Sequence, residues 1–292
     1  MNKFRLGLIV AAALHFSQAQ VSQTLALDLA TYRALYEFEP ARVDQAAQSK
    51  PIDGRLAYEV AGSECAGYTI DSRFANRFSD GEQGDRTIDL QSSTHESSDG
   101  LQLEVTQKQL VNGEPADDQR ISIARDGISA AGKGDIKGNK PKEFSLAEDI
   151  LFPTAHQKKL LGLAQAGATH DVTNLYDGSD GERQYRVVTF IGKRRPSGTY
   201  DTDAKNPALN DLLKQDSWSF QLGYYPLDDK QAEAPEFQAN FNMYEDGVST
   251  EMLFDYGSYA MRGKITRLEM TTPDKCEGTQ QRPASNTDST PQ

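Results

Sequence analysis

The stretch that decides the fold is residues 237–270, FQANFNMYEDGVSTEMLFDYGSYAMRGKITRLEM. Phe237, Ala239, Phe241 and Met243 alternate with Gln238, Asn240 and Asn242, which is the period of a half-buried strand. Asp246-Gly247 follows, a dipeptide suited to a two-residue type I′ hairpin loop. Folding the chain about that loop sets Met243 against Thr250, Phe241 against Met252, Ala239 against Phe254 and Phe237 against Tyr256. Each apolar residue then has a counterpart on the same face, so the register is well specified. Gly257-Ser258 turns the chain again, into a third strand carrying Tyr259, Met261 and Ile265. Leu268 and Met270 continue that strand on the other parity, which a bulge near Arg267 explains. The stretch is an antiparallel meander, expected to form the edge on which the rest of a sheet is built.

Upstream, the same pattern repeats. Asp28 to Lys50 is read as a short helix with a first strand at Tyr36 and Phe38. Leu56, Tyr58 and Val60 give a strand that ends at Gly62-Ser63, and Tyr68, Ile70, Phe74 and Phe78 the next. Ile88 and Leu90, then Leu101, Leu103 and Val105 across Asp99-Gly100, then Ile121 and Ile123 before Asp126-Gly127, continue strand after turn. No helical interval separates them, which argues against a βαβ arrangement. One helix is predicted over 154–166, with Thr154 as its cap, Pro153 before it and Gly167 ending it in the left-handed conformation. Leu160, Leu163 and Ala164 share a face with His156. Tyr185 to Ile191 and Trp218 to Tyr224 give two more strands, with a helical turn between Asn206 and Lys214. About twelve strands and one plugging helix predict an all-β protein whose large antiparallel sheet curls on itself; alternation does not distinguish a barrel from a sandwich.

The chain ends bound the compartment. Lys3 and Arg5 precede an apolar run from Leu6 to Phe16 and the small residues of Ser17-Gln18-Ala19, the layout of a secretory signal peptide cut after Ala19. The apolar run is too short for a permanent transmembrane anchor. The expected organisation is a signal peptide over 1–19, a lead-in over 20–30, one β domain over 31–277 and a disordered tail over 278–292, rich in Gln, Ser, Thr and Pro. The formal charge is −12, and losing Lys3 and Arg5 makes it −14. A chain this acidic repels nucleic acid and anionic lipid surfaces.

Several motifs carry a family resemblance. Gly62-Ser63-Glu64-Cys65-Ala66-Gly67-Tyr68, Phe152-Pro153-Thr154-Ala155-His156 and Tyr176-Asp177-Gly178 are three of them. The others are Pro235-Glu236-Phe237, Tyr244-Glu245-Asp246-Gly247-Val248-Ser249, Asp255-Tyr256-Gly257 and Leu268-Glu269. From about Thr31 to Glu277 the chain resembles the EipB-like periplasmic proteins of Gram-negative bacteria, a family linked to cell-envelope integrity. The resemblance implies a spiral-like, incompletely closed β structure. Its motifs are mostly turn and strand residues, specific to a fold and silent about chemistry: Asp246, Gly247, Gly257, Asp177 and Gly178 are read as structural turn positions.

The chain has two cysteines, Cys65 and Cys276. In an oxidising compartment an isolated pair is expected to form a disulfide. A reactive thiol or a metal pair lacks support, with no CxxC and no histidine beside either residue. The resemblance implies the same bond, which would close the N-terminal strands onto the meander.

The search for chemistry finds no local signature. Gly127-Ile128-Ser129-Ala130-Ala131-Gly132-Lys133 fits GxxxxGK, but Gly134 stands where a magnesium-binding Ser or Thr belongs, so a flexible glycine-rich loop is expected. Tyr176-Asp177-Gly178-Ser179-Asp180-Gly181 lacks the distal Glu of a calcium loop and reads as a turn. His95, His156 and His170 fall in no metal spacing, and there is no GxSxG or SxxK. No catalytic, cofactor-binding or metal-ligating residue is assigned, and no cofactor is expected.

The functional expectation is a non-catalytic periplasmic protein that supports envelope integrity by binding an envelope protein, lipid or cell-wall component. The alternative is a lipid or lipoprotein carrier, with Trp218, Phe220, Phe241 and Phe254 lining a cavity in a curled sheet. An envelope hydrolase comes third.

Overall fold

A computed structural model describes residues 28–81, 84–198 and 206–276. The expected signal peptide and C-terminal tail lie outside them. The first strand of the chain pairs with the last: β1 (Tyr32–Val43) runs antiparallel to β15 (Tyr259–Met270), with Tyr32 opposite Met270 and Phe38 opposite Gly263. Tyr32, Ala34, Tyr36 and Phe38 point inward from β1 while Arg33, Glu37 and Glu39 face solvent, so one period-2 pattern fixes both register and face. The region 28–50 therefore holds a long strand and not a strand plus a short helix. Its alternation extends back to Tyr32.

From β1 the sheet grows in two directions. One arm meanders through β2 (Lys50–Ser63), β3 (Gly67–Ser79), β4 (Asp85–Glu96), β5 (Gln102–Val111), β6 (Glu114–Arg125), β7 (Gly132–Gly138) and β8 (Lys142–Leu146). The other runs backward from β15 through β14 (Ser249–Asp255), β13 (Phe237–Tyr244), β12 (Ser217–Pro226), β11 (Tyr185–Ile191), β10 (His170–Leu175) and β9 (Ile150–Leu151). Among the described residues this is one 15-stranded sheet, antiparallel except where β9 pairs with β10. The meander of 237–270 is thus central and not an edge, because β1 covers the free side of β15.

The two real edges, β8 and β9, are neighbours in sequence, and the sheet curls into a barrel-like form with one seam between them. Side chains close that seam. Arg125 donates through Nη1 to the Ile150 carbonyl (2.5 Å) and sits over the Phe152 ring at 4.3 Å. Gln184 accepts from the Ala147 amide (2.8 Å) and donates to the Ser145 carbonyl (2.9 Å). The Phe144 and Tyr176 rings meet across the gap at 5.5 Å.

The β13–β14 hairpin corrects the expected turn. Gly247 donates to the Tyr244 carbonyl (2.9 Å) and Tyr244 to the Val248 carbonyl (3.0 Å), so the loop has three residues, Glu245, Asp246 and Gly247, with Gly247 at φ +88°. This is a type I turn followed by a left-handed glycine, not a two-residue loop. Met243 accordingly pairs with Ser249 and not with Thr250. A bulge at Glu251 (φ +53°) then removes the one-residue offset, and Ala239 pairs with Phe254 as expected. Phe237 and Tyr256 also meet, with ring centroids 5.1 Å apart. In β15 the expected irregularity falls at Thr266, between the pairs Leu35–Arg267 and Tyr36–Ile265.

The helix α1 (Pro153–Gln165) is the longer of two helices among the described residues; the other, α2 (Pro207–Leu212), is the expected helical turn. Gly167 is left-handed at φ +81°, and the bonds Gly167 to Ala164 and Ala168 to Leu163 make a Schellman end. Thr154, however, does not cap the start. Phe152 is the N-cap residue and offers no side-chain hydrogen bond; the free amides are taken up by Glu96 on β4. The glycine-rich run 127–133 is a loop only to Ala131, since Gly132 and Lys133 begin β7.

Cys65, just past β2, and Cys276, past β15, form a disulfide with Cα atoms 5.7 Å apart. The chain beside it is already docked, with the Asp274 amide donating to the Gly62 carbonyl (3.1 Å). The bond joins the β2 end to the β15 end in the middle of the sheet, where the terminal strands already have partners.

A candidate ligand cavity beneath the plugging helix

The inner face of the sheet carries three apolar clusters. One lies under β1–β3 and β15, around Tyr36, Leu56 and Met261. A second joins α1 to β10–β13 through Leu160, Leu161, Val187, Trp218 and Phe220. The third fills the sector under β5–β8 with Leu103, Ile121, Leu146 and Phe152. The first two face each other across the barrel without closing up, and Phe254 touches both. Between them lies a cavity of about 320 Å³. Its walls are mostly apolar: Leu56, Ile70 and Met252 on one side, Leu222, Phe237 and Phe241 on the other, and Leu160 from the helix. Such a volume is at the lower end of small-ligand pockets, which run from roughly 300 to 1,000 Å³.

The cavity lies where the sequence places two of its candidate aromatics. Phe241 and Phe254 line it, while Trp218 and Phe220 are buried in the core, Phe220 stacked on Phe241 at 5.7 Å. Asp177 borders it as well, and also accepts from the Ser179 amide (2.9 Å), which makes the Asp177-Gly178 segment a turn. Gly247 ties α1 to the hairpin by accepting from Gln157 Nε2 (2.8 Å). Cys65, Cys276 and Gly257 lie away from the cavity wall. Asp246 is half-buried; its carboxylate accepts from Gln215 (2.7 Å) and the Val248 amide (3.0 Å), and burial raises its proton affinity above the ordinary range.

The polar groups around the cavity come mainly from α1. Pro153, His156, Gln157 and Leu160 all project into the lining, because residues three and four apart share a helix face. Lys158 pairs with Glu64 and lies 4.4 Å over the Tyr68 ring. Lys159 donates to Asp171 (2.9 Å) and Thr173 (2.5 Å) on β10; burial pushes the Asp171 carboxyl up, but the bond donated by the Thr173 hydroxyl (2.5 Å) and the bond and charge of Lys159 outweigh it and hold the carboxyl below its usual range. His156 is different. It is 4% exposed, its Nε2 is buried with no hydrogen-bond partner among the described residues, and desolvation lowers its pKa to about 4 against the pull of Asp171. The imidazole is therefore neutral near pH 7. Burial likewise keeps the tyrosines that line the cavity neutral, pushing the Tyr58 hydroxyl up to about 12. The site offers apolar walls, imidazole, amide and phenol groups, and Asp177 at its border.

In the sequence His156 shares the helix face of Leu160 and Ala164, as it does in the fold. The void beside the ring has no counterpart in the sequence, since a void between two distant clusters leaves no periodicity. Among the described residues no group of three His, Cys, Asp or Glu side chains is arranged to hold a metal ion, and no helix is long and apolar enough to cross a membrane.

Residues 23–272 match the EipB-like family. The chain belongs to that family. It is 31% identical over 251 residues to the cell envelope integrity protein EipB of Brucella abortus strain 2308, covering 85% of this chain and 87% of that protein. It is also similar to the crystal structure of a β-barrel-like protein with a domain of unknown function from Brucella abortus. There the TM-score is 0.77 at 29% identity, with 85% of this chain and all of that one covered. The EipB-like family and the barrel-like sheet therefore agree with the expectation formed on the turn and strand motifs.

Proposed function

We propose that this chain is a non-catalytic periplasmic protein that supports cell-envelope integrity by binding another envelope component, and that the cavity under α1 receives the apolar part of that component. The observation that carries the proposal is the apolar cavity itself, roofed by a helix held to the sheet through Glu96, Gln157, Lys158 and Lys159. The name of the Brucella relative supports the envelope role. Export would follow from the N-terminal segment, and the acidic charge suits a partner other than nucleic acid or a bare anionic membrane surface.

The test is complementation. A strain lacking the gene is scored for sensitivity to detergent and to EDTA, then supplied with the wild-type chain or with Ala239→Trp, which fills the cavity from β13. Wild type should restore resistance, and the filled variant, once shown to be folded by circular dichroism, should not. Full rescue by the filled variant would remove the cavity from the function. Release of soluble fragments from purified peptidoglycan by the protein would overturn the non-catalytic assignment.

A further inference from the structure

We infer that the free edge of β8 at the seam takes an extended, basic peptide segment of a partner protein, which runs parallel to β8 and replaces the Gln184 side chain. The inference rests on the proposal that this chain binds another envelope component. It concerns a site apart from the cavity under α1, with which it shares no lining residue.

Backbone geometry defines the edge. The Asn139 amide donates to the Asp118 carbonyl (3.3 Å), so odd-numbered residues of β7 bond to β6 and even-numbered ones to β8. The pairs Gly132–Leu146, Gly134–Phe144 and Ile136–Lys142 then use the even residues of β8. Glu143, Ser145 and Ala147 turn their amides and carbonyls into the seam. Gln184, one residue before β11, meets two of these groups: Nε2 donates to the Ser145 carbonyl (2.9 Å) and Oε1 accepts from the Ala147 amide (2.8 Å). One residue of a parallel strand lying opposite Leu146 makes the same two bonds. The side-chain amide therefore stands where a peptide amide would. Two places earlier, a residue of such a strand would lie opposite Phe144 and take the Glu143 carbonyl and the Ser145 amide. Neither of those groups has a partner among the described residues. A peptide thus remakes the two bonds of Gln184 and adds two more.

A groove of about 690 Å³ runs along this edge. Phe144, Ala147 and Leu227, packed on the third apolar cluster, form its floor. Side chains alternate along a strand, so peptide residues opposite Phe144 and Leu146 point to the floor and those opposite Glu143 and Ser145 point outward. Charge on the rim selects among partners. Lys142 is paired with Glu182 (2.5 Å) and Arg183 with Glu236 (2.8 Å), whereas Glu143 and Asp228 have no ion pair among the described residues. The surplus is negative, which favours a basic segment and disfavours a second copy of the same rim. In strand addition the backbone bonds give affinity and the alternate side chains give selectivity.

The probe is the peptide acetyl-Thr-Lys-Val-Thr-Val-Thr amide, with Lys set opposite Glu143 and the two Val opposite Phe144 and Leu146. It is titrated at low salt into ¹⁵N-labelled protein, and the Ser145, Ala147 and Gln184 side-chain amide signals should move. N-methylation of either Val should weaken binding at least about tenfold, because those N–H groups face β8. N-methylation of the Thr between them, whose N–H points away, should change it less than about twofold. Replacing the peptide's Lys with Glu should weaken binding about three- to fivefold, and less at high salt. Gln184→Ala should tighten it about three- to tenfold, since the competing amide is gone. The methylation series uses wild-type protein and does not depend on how that variant folds. Unmoved signals at about 1 mM peptide would overturn the inference. So would tighter binding of the Glu peptide, or sensitivity at the middle Thr in place of the Val residues, which is the antiparallel pattern. Dimerisation of Gln184→Ala in sedimentation would assign the edge to a second copy and overturn it too. Folded Ala239→Trp should bind the peptide like wild type; loss of binding there would place the peptide in the cavity and refute the edge. Complementation by that variant bears on the cavity alone.

Discussion

The carboxylate of Glu96, at the end of β4, accepts hydrogen bonds from the Thr154 amide (2.8 Å) and the Ala155 amide (3.2 Å), the first free N–H groups of α1. A helix leaves its first amides unsatisfied, and a nearby side chain normally takes them up. In this fold the cap comes from a strand 58 residues away in sequence. Glu96 is 5% exposed, and desolvation outweighs these bonds and the Lys158 charge to raise its pKa above the usual range.

That balance gives a pH prediction with two opposing parts. A raised native pKa means that Glu96 adds stability at low pH, which is lost as pH rises through the raised value. His156, lowered to about 4 by burial, does the opposite: its stability is present above the ordinary value of about 6.5 and is lost as pH falls toward 4. Glu96→Gln should keep a cap near pH 7 but lose more stability than wild type between pH 7 and 4.5, because the offsetting gain is gone. Glu96→Ala should lose about 2 kcal/mol at pH 7. Urea unfolding across that pH range checks both. Parallel curves for wild type and Glu96→Gln would contradict the assignment.

The disulfide should contribute in the range usual for native bonds. Its loop spans nearly the whole barrel, and Cys65→Ser or Cys276→Ser should each lower stability by roughly 2–5 kcal/mol. The double variant should match either single one, since each removes the same bond. The effect acts on the unfolded chain more than on fraying ends, because β1 and β15 are already paired to each other. A thiol assay on denatured, unreduced protein should find no reactive cysteine.

Two turn glycines should respond differently to alanine. Both are left-handed, Gly247 at φ +88° and Gly257 at φ +82°. A Cβ on Gly257 would meet nothing within 4 Å, so Gly257→Ala should cost only backbone strain, about 1 kcal/mol. On Gly247 the added atom would lie 2.7 Å from Leu29 Cδ2 and 3.2 Å from Gln157 Nε2, against the core and the tie to α1. Gly247→Ala should cost about 2–3 kcal/mol. Equal shifts in denaturant midpoint would show that the packing against Leu29 is soft.

Arg125 should govern the seam. It is 6% exposed, donates to Gly100 on one side (2.9 and 2.6 Å) and to Ile150 on the other, and stacks on Phe152. Lysine cannot reproduce that planar fork. Arg125→Lys should lose about 1.5–3 kcal/mol and speed hydrogen exchange at the Tyr176 amide, which donates to Leu151 (3.0 Å). Unchanged exchange there would mean the seam is held by other contacts.

Much of this barrel is local information. Alternating residues mark β1, β2, β11, β12 and the 237–270 meander, because a period of two is a property of neighbouring residues on one chain. Gly167 ends α1 for an equally local reason, a backbone angle that suits glycine. The hairpin at Asn112-Gly113, with both residues at positive φ, carries the two-residue signal that was expected instead at Asp246-Gly247. The short strands β8 and β9 were not legible: five and two residues are too few to show alternation.

Tertiary structure alone decided what lies at a distance. The pairing of β1 with β15 makes the meander central, the capping of α1 falls to Glu96 instead of Thr154, and Arg125 reaches across a seam to Ile150. The cavity belongs to the same class, because it is the space left where two clusters from opposite arms of the sheet fail to meet. The sequence determined which residues face inward. Only long-range packing decided which of them touch, and that His156 Nε2 is enclosed with no hydrogen-bond partner among the described residues.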